Sequence, residues 1–159
     1  MAPTRFKFIL SPPFSCDTME EKFTINYDSN LDKILLVGEG DFSFALSLAR
    51  KFGTAKDMVA TSLDSIVDVH TMSVHQGLQW NYFNLIVFNY PHAGFTYREC
   101  DPQQIELHKK LVRAFFRSAK FMIKRSGLIH VTHKRGYPFS EWKIKELALL
   151  EGLIFIREE

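Results

Sequence analysis

The sequence predicts an α/β domain built on a mostly parallel sheet. Short continuous apolar runs alternate with stretches of helical periodicity, glycines close several of the runs, and 159 residues at 46% hydrophobic content suit one core. Fifteen phenylalanines supply a dense aromatic interior. No apolar run approaches the roughly 18 residues that cross a bilayer, so no membrane span is expected. Cys16 and Cys100 are too few for a disulfide framework or a four-cysteine zinc site, and fit a reduced intracellular compartment.

Residues 1–30 read as an N-terminal extension ahead of a domain at 31–159. Ser11-Pro12-Pro13 interrupts regular structure, while Phe6, Phe8 and Leu10 alternate as a short edge strand over 5–10 would. The start lacks the charged, apolar, then small-residue layout of a secretory signal. Asp28-Ser29-Asn30 makes a turn, and Ile34-Leu35-Leu36-Val37, ending at Gly38, has the unbroken apolarity of a parallel strand buried on both faces. Phe44, Leu48 and Phe52 define one face of a helix over 42–52, which Gly53 ends. Strands follow over 58–62 and 83–89, the second closed by Tyr90-Pro91. A long amphipathic helix is expected over 103–125, with Leu107, Leu111, Phe115, Ala119 and Met122 inward and Ser126-Gly127 as its stop. Leu128 to Thr132 is the next strand. Ser140 can cap a helix over 141–151 that buries Ile144, Leu147, Ala148 and Leu150, and a last strand begins over 153–156.

In such sheets ligands sit beyond the C-terminal ends of the strands, and three candidate loops fall there. Gly38-Glu39-Gly40-Asp41-Phe42-Ser43 lies between a buried strand and a helix, where glycines permit a sharp turn and close approach of a ligand to the main chain. A dinucleotide fingerprint wants a small residue where Phe42 or Ser43 stands, which weakens an oxidoreductase reading. A nucleoside ligand with a carboxylate, such as S-adenosylmethionine, needs less of that fingerprint; a tight turn without ligand is the plain alternative. Asp64, at the end of the next strand, can accept both hydroxyls of a ribose or simply cap a turn, and Asp68 can add a contact to an adenine amino group. The third loop, Phe88-Asn89-Tyr90-Pro91-His92-Ala93-Gly94, puts an amide and a flat ring over one spot. That pair can orient a base and position its nitrogen for alkyl transfer; an ordinary Tyr-Pro turn with a solvent-facing His92 is the alternative.

Six histidines invite a metal, yet no pair has a zinc spacing backed by cysteine or carboxylate, so none is expected. The net charge of +2 conceals a net −5 over residues 1–106 and a net +7 over 107–159. A basic C-terminal half suits a polyanion. On the helix at 103–125, Lys109, Arg113, Arg117, Lys120 and Lys124 recur at helical spacing as one stripe, either a phosphate track for RNA or a solvated outer face.

Four stretches carry a family resemblance: the run from Ile34 to Ala45, the loop from Phe88 to Gly94, Phe115 to Ala119, and Gly127 to Thr132. With Pro138, Trp142 and Leu147-Ala148, they resemble the eukaryotic ribosomal RNA (uridine-N3) methyltransferase family over about 24–157. The same domain occurs in animal proteins joined to a ferredoxin-fold anticodon-binding domain. The resemblance implies a class I, Rossmann-like methyltransferase that uses S-adenosylmethionine and methylates N3 of a uridine in large-subunit ribosomal RNA. It implies a cofactor loop at Gly38, Glu39, Gly40, Asp41, Phe42 and Ser43, an acidic ribose position at Asp64, and a further cofactor contact at Asp68. Asn89, Pro91 and His92 match the substrate-side motif. A monomer acting in the nucleolus or nucleus, or else the cytoplasm, is the corresponding expectation. One departure stands out: family members carry a few tens of residues between the positions resembling Ser65 and Val67, so a helix and a strand are expected to be missing there. The chain also stops inside the last strand, leaving the final hairpin absent or incomplete. A degenerate domain kept for RNA or protein contact is therefore the competing class.

Overall fold

A computed structural model describes residues 3–10, 33–62, 68–79 and 81–159. Six strands form one sheet: β1 (Thr4–Leu10), β2 (Ile34–Glu39), β3 (Met58–Ser62), β4 (Phe83–Asn89), β5 (Ile123–His133) and β6 (Leu153–Glu158). Their spatial order is β3-β2-β4-β5-β1-β6. The neighbours β3, β2, β4 and β5 run parallel, and β1 runs antiparallel to both β5 and β6. The helices are α1 (Ser43–Phe52), α2 (Pro102–Met122) and α3 (Ile144–Leu150). The α/β class and its mostly parallel sheet follow the sequence expectation.

The continuous apolar runs are buried on both faces because helices cover both. Leu35, Val37, Ile86, Phe88, Ile129 and Val131 point to a layer containing Val112, Phe115 and Phe116 of α2 and Leu147 of α3. Ile34, Leu36, Leu85, Val87 and Leu128 point the other way, toward Leu48 of α1. This is the period-two alternation of a strand sorting one run into two cores. Asp101 caps α2 by accepting the Gln103 N–H at 2.8 Å, with Pro102 following it.

Four expectations need correction. The edge strand expected over 5–10 is interior: β1 pairs with β5 on one side and β6 on the other, so the sheet reaches into the segment read as an extension. The long helix ends at Met122, because Ile123 turns to extended backbone and pairs with Phe83. Gly127 is no helix stop but a residue of β5, where a Cβ would lie 2.9 Å from the Asn84 carbonyl oxygen. Lys124 is consequently on β5, off the helical stripe. The inward face of α2 is also rotated: Gln104, His108 and Val112 are fully buried, whereas Leu107 and Leu111 are only partly so. Finally, the helix expected over 141–151 is a 3-10 turn at Phe139–Trp142 followed by α3, broken at Lys143 with φ 51°, and Leu150 is 64% exposed.

Burial also sets an acid limit on stability. In β5, burial pushes His130 down to about 3, with Lys7 and Arg5 adding to it, and pushes His133 down to about 4. Both folded values lie below the ordinary 6.5, so between the two the unfolded chain binds protons that the folded chain refuses. Stability is therefore present above pH 6.5 and lost as pH falls toward these values. Thermal midpoints measured in steps from neutral to acid pH should decline below 6.5, and His130→Gln should flatten the decline. A midpoint independent of pH over that window would show that neither imidazole is desolvated.

Candidate functional site

The turn after β2 is forced by backbone that ordinary residues rarely adopt. Gly38 has φ 69° and Phe42 has φ 58°, so the chain reverses within four residues and starts α1. Thr61 of β3 pins the turn: its hydroxyl accepts the Gly38 N–H at 3.3 Å and donates to the Leu36 carbonyl at 3.4 Å. Two acids then cap the first turn of α1. Asp41 Oδ1 accepts the Ser43 N–H at 3.0 Å, and Glu39 Oε2 accepts the Ala45 N–H at 3.2 Å. Burial raises the Glu39 carboxyl above its ordinary value, opposed by hydrogen bonds from the Ala45 N–H and the Asn89 side-chain amide. Hydrogen bonds from Ser43 hold Asp41 below its ordinary value.

These groups line a cleft of about 450 Å³ at the C-terminal edge of the parallel strands. Gly38, Glu39, Gly40, Asp41, Ser43 and Phe44 form one wall, and Asn89, Tyr90, Thr132, Pro3 and Arg5 complete it. A Cβ built on Gly40 meets nothing within 4 Å, so the main chain borders open space there. Two carboxylates and one guanidinium suit a ligand that carries cationic centres and a carboxylate, as S-adenosylmethionine does. A pyrophosphate would meet the same two carboxylates as repulsion. The charges lining the cleft therefore fit that cofactor.

The second group of residues begins where β4 ends. Tyr90 takes a left-handed conformation, φ 49°, and its N–H donates to the Thr132 carbonyl at 2.9 Å. His92 Nε2 lies 3.1 Å from Glu99 Oε1. A carboxylate only accepts, so Nε2–H is the donor of this bond and Nδ1 is the ring's other nitrogen. The loop that follows is laced to α2 by two buried polar side chains. Gln104 Oε1 accepts the N–H groups of Thr96 and Tyr97 at 3.1 and 2.8 Å, and its amide donates to the Gly94 carbonyl at 2.6 Å. His108 Nδ1 accepts the Ala93 N–H at 3.1 Å, while its ring stacks on Trp142 at 4.2 Å and meets His92 at 4.4 Å. Burial, then the neighbouring His92, lowers His108 and keeps it neutral.

His92, Glu99 and His108 bring three ligand-type atoms within 4.8 Å of one another. His108 Nδ1 accepts the Ala93 N–H, so the neutral ring carries its proton on Nε2 and offers a cation no lone pair.

The structure thus gathers Gly38, Glu39, Gly40, Asp41, Ser43 and Asn89 into one cleft. Phe42 makes the turn, with its ring partly exposed and outside the lining; Pro91 is buried, and His92 sits one residue beyond it on the adjoining loop. Asp64 lies outside the described residues. Asp68 is not among the lining residues, and its carboxylate accepts the His70 N–H at 2.9 Å. The basic stripe is largely engaged: Arg113, Arg117 and Lys120 converge on buried Glu151 at 2.7, 3.1 and 3.4 Å, and Lys109 pairs with Glu106 at 3.2 Å. Arg5, Thr132, Glu99, Gln104 and His108 were missed from the sequence. Gln104 and His108 did leave a signal, two polar residues four apart in line with Val112.

Among known proteins, the profile of a family described as rRNA (uridine-N3-)-methyltransferase BTM5-like matches in two stretches, residues 35–66 and 65–159. An uncharacterized protein of Arabidopsis thaliana is 44% identical over 169 residues, covering 88% of this chain and 80% of that protein. Heavy metal-associated isoprenylated plant protein 41, also of Arabidopsis thaliana, is 39% identical, covering 89% of this chain and 32% of its own length. The ferredoxin-fold anticodon-binding domain-containing protein 1 homolog of Mus musculus is 26% identical, covering 77% of this chain and 25% of its own length. The chain therefore spans about a third and about a quarter of the latter two. No solved structure matches.

Proposed function

The chain belongs to the rRNA (uridine-N3-)-methyltransferase BTM5-like family, and we propose that it is an S-adenosylmethionine-dependent enzyme methylating N3 of a uridine in large-subunit ribosomal RNA. The observation that carries this reading is the cleft over Gly40, open above the main chain and flanked by Glu39, Asp41 and Arg5. The cofactor supplies an electrophilic methyl group. Glu39, Asp41 and Arg5 would hold its polar end, Gly38 and Gly40 would let it lie against the backbone, and Asp64 would serve its ribose.

Uracil N3 carries a proton and is a poor nucleophile until that proton leaves. The Asn89 amide is oriented by its bond to Glu39, which leaves its carbonyl oxygen to meet the pyrimidine edge. His92 Nδ1 takes the N3 proton, and the Glu99 carboxylate steadies the imidazolium that results. The uridine must be unstacked to reach the site, so a loop or a flipped nucleotide is the target. The protein acts as a monomer, in the nucleolus or nucleus or in the cytoplasm.

One observation favours a second reading, a non-catalytic module that binds RNA or protein. The family match breaks at 65–66, and the alignment of 169 residues takes in only 88% of this chain, so the relative carries residues that this chain lacks. Titration calorimetry separates the two. The enzyme binds S-adenosylmethionine one to one and ignores NAD; a module binds RNA and neither cofactor.

A further inference from the structure

A second cleft, of about 370 Å³, opens at the same sheet edge and falls in the size range of ligand sites. The two clefts share the paired ends of β1 and β5. Arg5 and Thr132, which are partners, line the first, while their neighbours Thr4 and His133, also partners, line the second. Successive residues of a strand point to opposite faces, so the clefts lie back to back across one strand end.

The second cleft is cationic. Lys134, Arg135, Lys143 and Lys145 line it against Glu146 and Glu158. Lys145 is held by Glu158 at 2.8 Å and Lys143 approaches Glu146 only to 3.9 Å. Lys134 lies over the Phe139 ring and Arg135 donates to Thr4 Oγ1, and neither bonds a carboxylate among the described residues. Exposed rings stand on loops at the same sheet edge: Tyr137, next to the lining residue Gly136, at 70%, and Tyr90 and Phe95 on the loop after β4 at 49% and 81% exposure. The Tyr137 hydroxyl reaches the Cys100 carbonyl, tying the loop after β5 to the one before α2. Cations that track a backbone, interleaved with rings that stack on bases, are the pattern of single-stranded nucleic-acid binding.

Resting on the methyltransferase reading, we infer that this cleft, rather than the α2 stripe, holds the unpaired RNA strand beside the target uridine. Its phosphates lie on Lys134, Arg135 and Lys143, and a flanking base stacks on Tyr137. The strand then passes around the β5 end into the first cleft.

Fluorescence anisotropy of the full chain with a labelled oligouridylate of about ten nucleotides, titrated across salt, tests this. Lys134→Glu with Lys143→Glu should weaken binding at least tenfold and reduce the salt slope by about 1.4, two phosphate contacts on a single strand. Tyr137→Ala should weaken binding about tenfold with the slope unchanged. Arg113→Glu with Arg117→Glu should leave the slope as it was. Oligouridylate that fails to bind the wild-type chain, wild-type affinity in the cleft variants, or a slope that falls only in the α2 variants overturns the inference. Displacement of the oligonucleotide by polyglutamate at equal charge concentration also overturns it, in favour of an acidic protein partner. Failure of S-adenosylmethionine binding, with the cleft variants still weak on RNA, sinks the methyltransferase reading and leaves the cleft standing.

Discussion

Replacing His92 with alanine is expected to lower kcat on RNA by about 10²- to 10⁴-fold, the range for loss of a positioned general base, with cofactor affinity unchanged. The expectation rests on tautomer and placement. Glu99 Oε1 accepts the Nε2–H at 3.1 Å, so Nδ1 is the nitrogen that can take a proton from the substrate. His108 and Phe95 pack against the ring at 4.4 and 4.2 Å and fix its plane. Glu99→Gln keeps a group that can accept from Nε2 but removes the charge that steadies the imidazolium, so its loss should be smaller than that of His92→Ala. Asn89→Ala should also cut turnover more than cofactor binding. Single-turnover rates with saturating cofactor measure each loss. Wild-type rates in His92→Ala and Asn89→Ala together would reduce the loop after β4 to a turn.

Gly40→Val should weaken S-adenosylmethionine binding by at least about a hundredfold, the scale of overpacking costs of 1–3 kcal/mol plus displaced ligand contacts. The fold should survive, because a Cβ at this position meets no protein atom within 4 Å. A branched side chain therefore fills the ligand's volume and nothing else. Calorimetry reads the loss, and thermal denaturation checks the fold. Retained affinity in a folded variant would mean that the cofactor lies elsewhere.

Local pattern made the parallel strands and both glycine turns legible. The apolar runs at 34–37 and 83–89 are β2 and β4 because burial on both faces demands unbroken apolarity, while 58–62 is the edge strand β3 with Val59 exposed. Gly53 ends α1 with φ 71°, its N–H returning to the Arg50 carbonyl at 3.3 Å. What could not be read depends on partners distant in sequence. Nothing local in Thr4–Leu10 says that it inserts between β5 and β6, so the sequence alone does not place Arg5 on the first cleft. Glu151 looks like one acid on a short helix until α2 brings Arg113, Arg117 and Lys120 onto it. A stripe of cations at helical spacing is equally a solvated face, a phosphate track or a docking seam, and only the facing element decides. Glu99 follows the same logic: its role exists only because the loop folds back seven residues onto His92.

The most direct test of the account is methyl transfer itself. The purified chain is incubated with unmodified large-subunit ribosomal RNA and S-adenosylmethionine, and the digested nucleosides are resolved by mass spectrometry. N3-methyluridine should accumulate in a cofactor-dependent manner with the wild-type chain, and should be absent with Gly40→Val and His92→Ala. Absence of any methylated nucleoside, under conditions where both cofactor and RNA are shown to bind, would contradict the account and leave the chain a binding module.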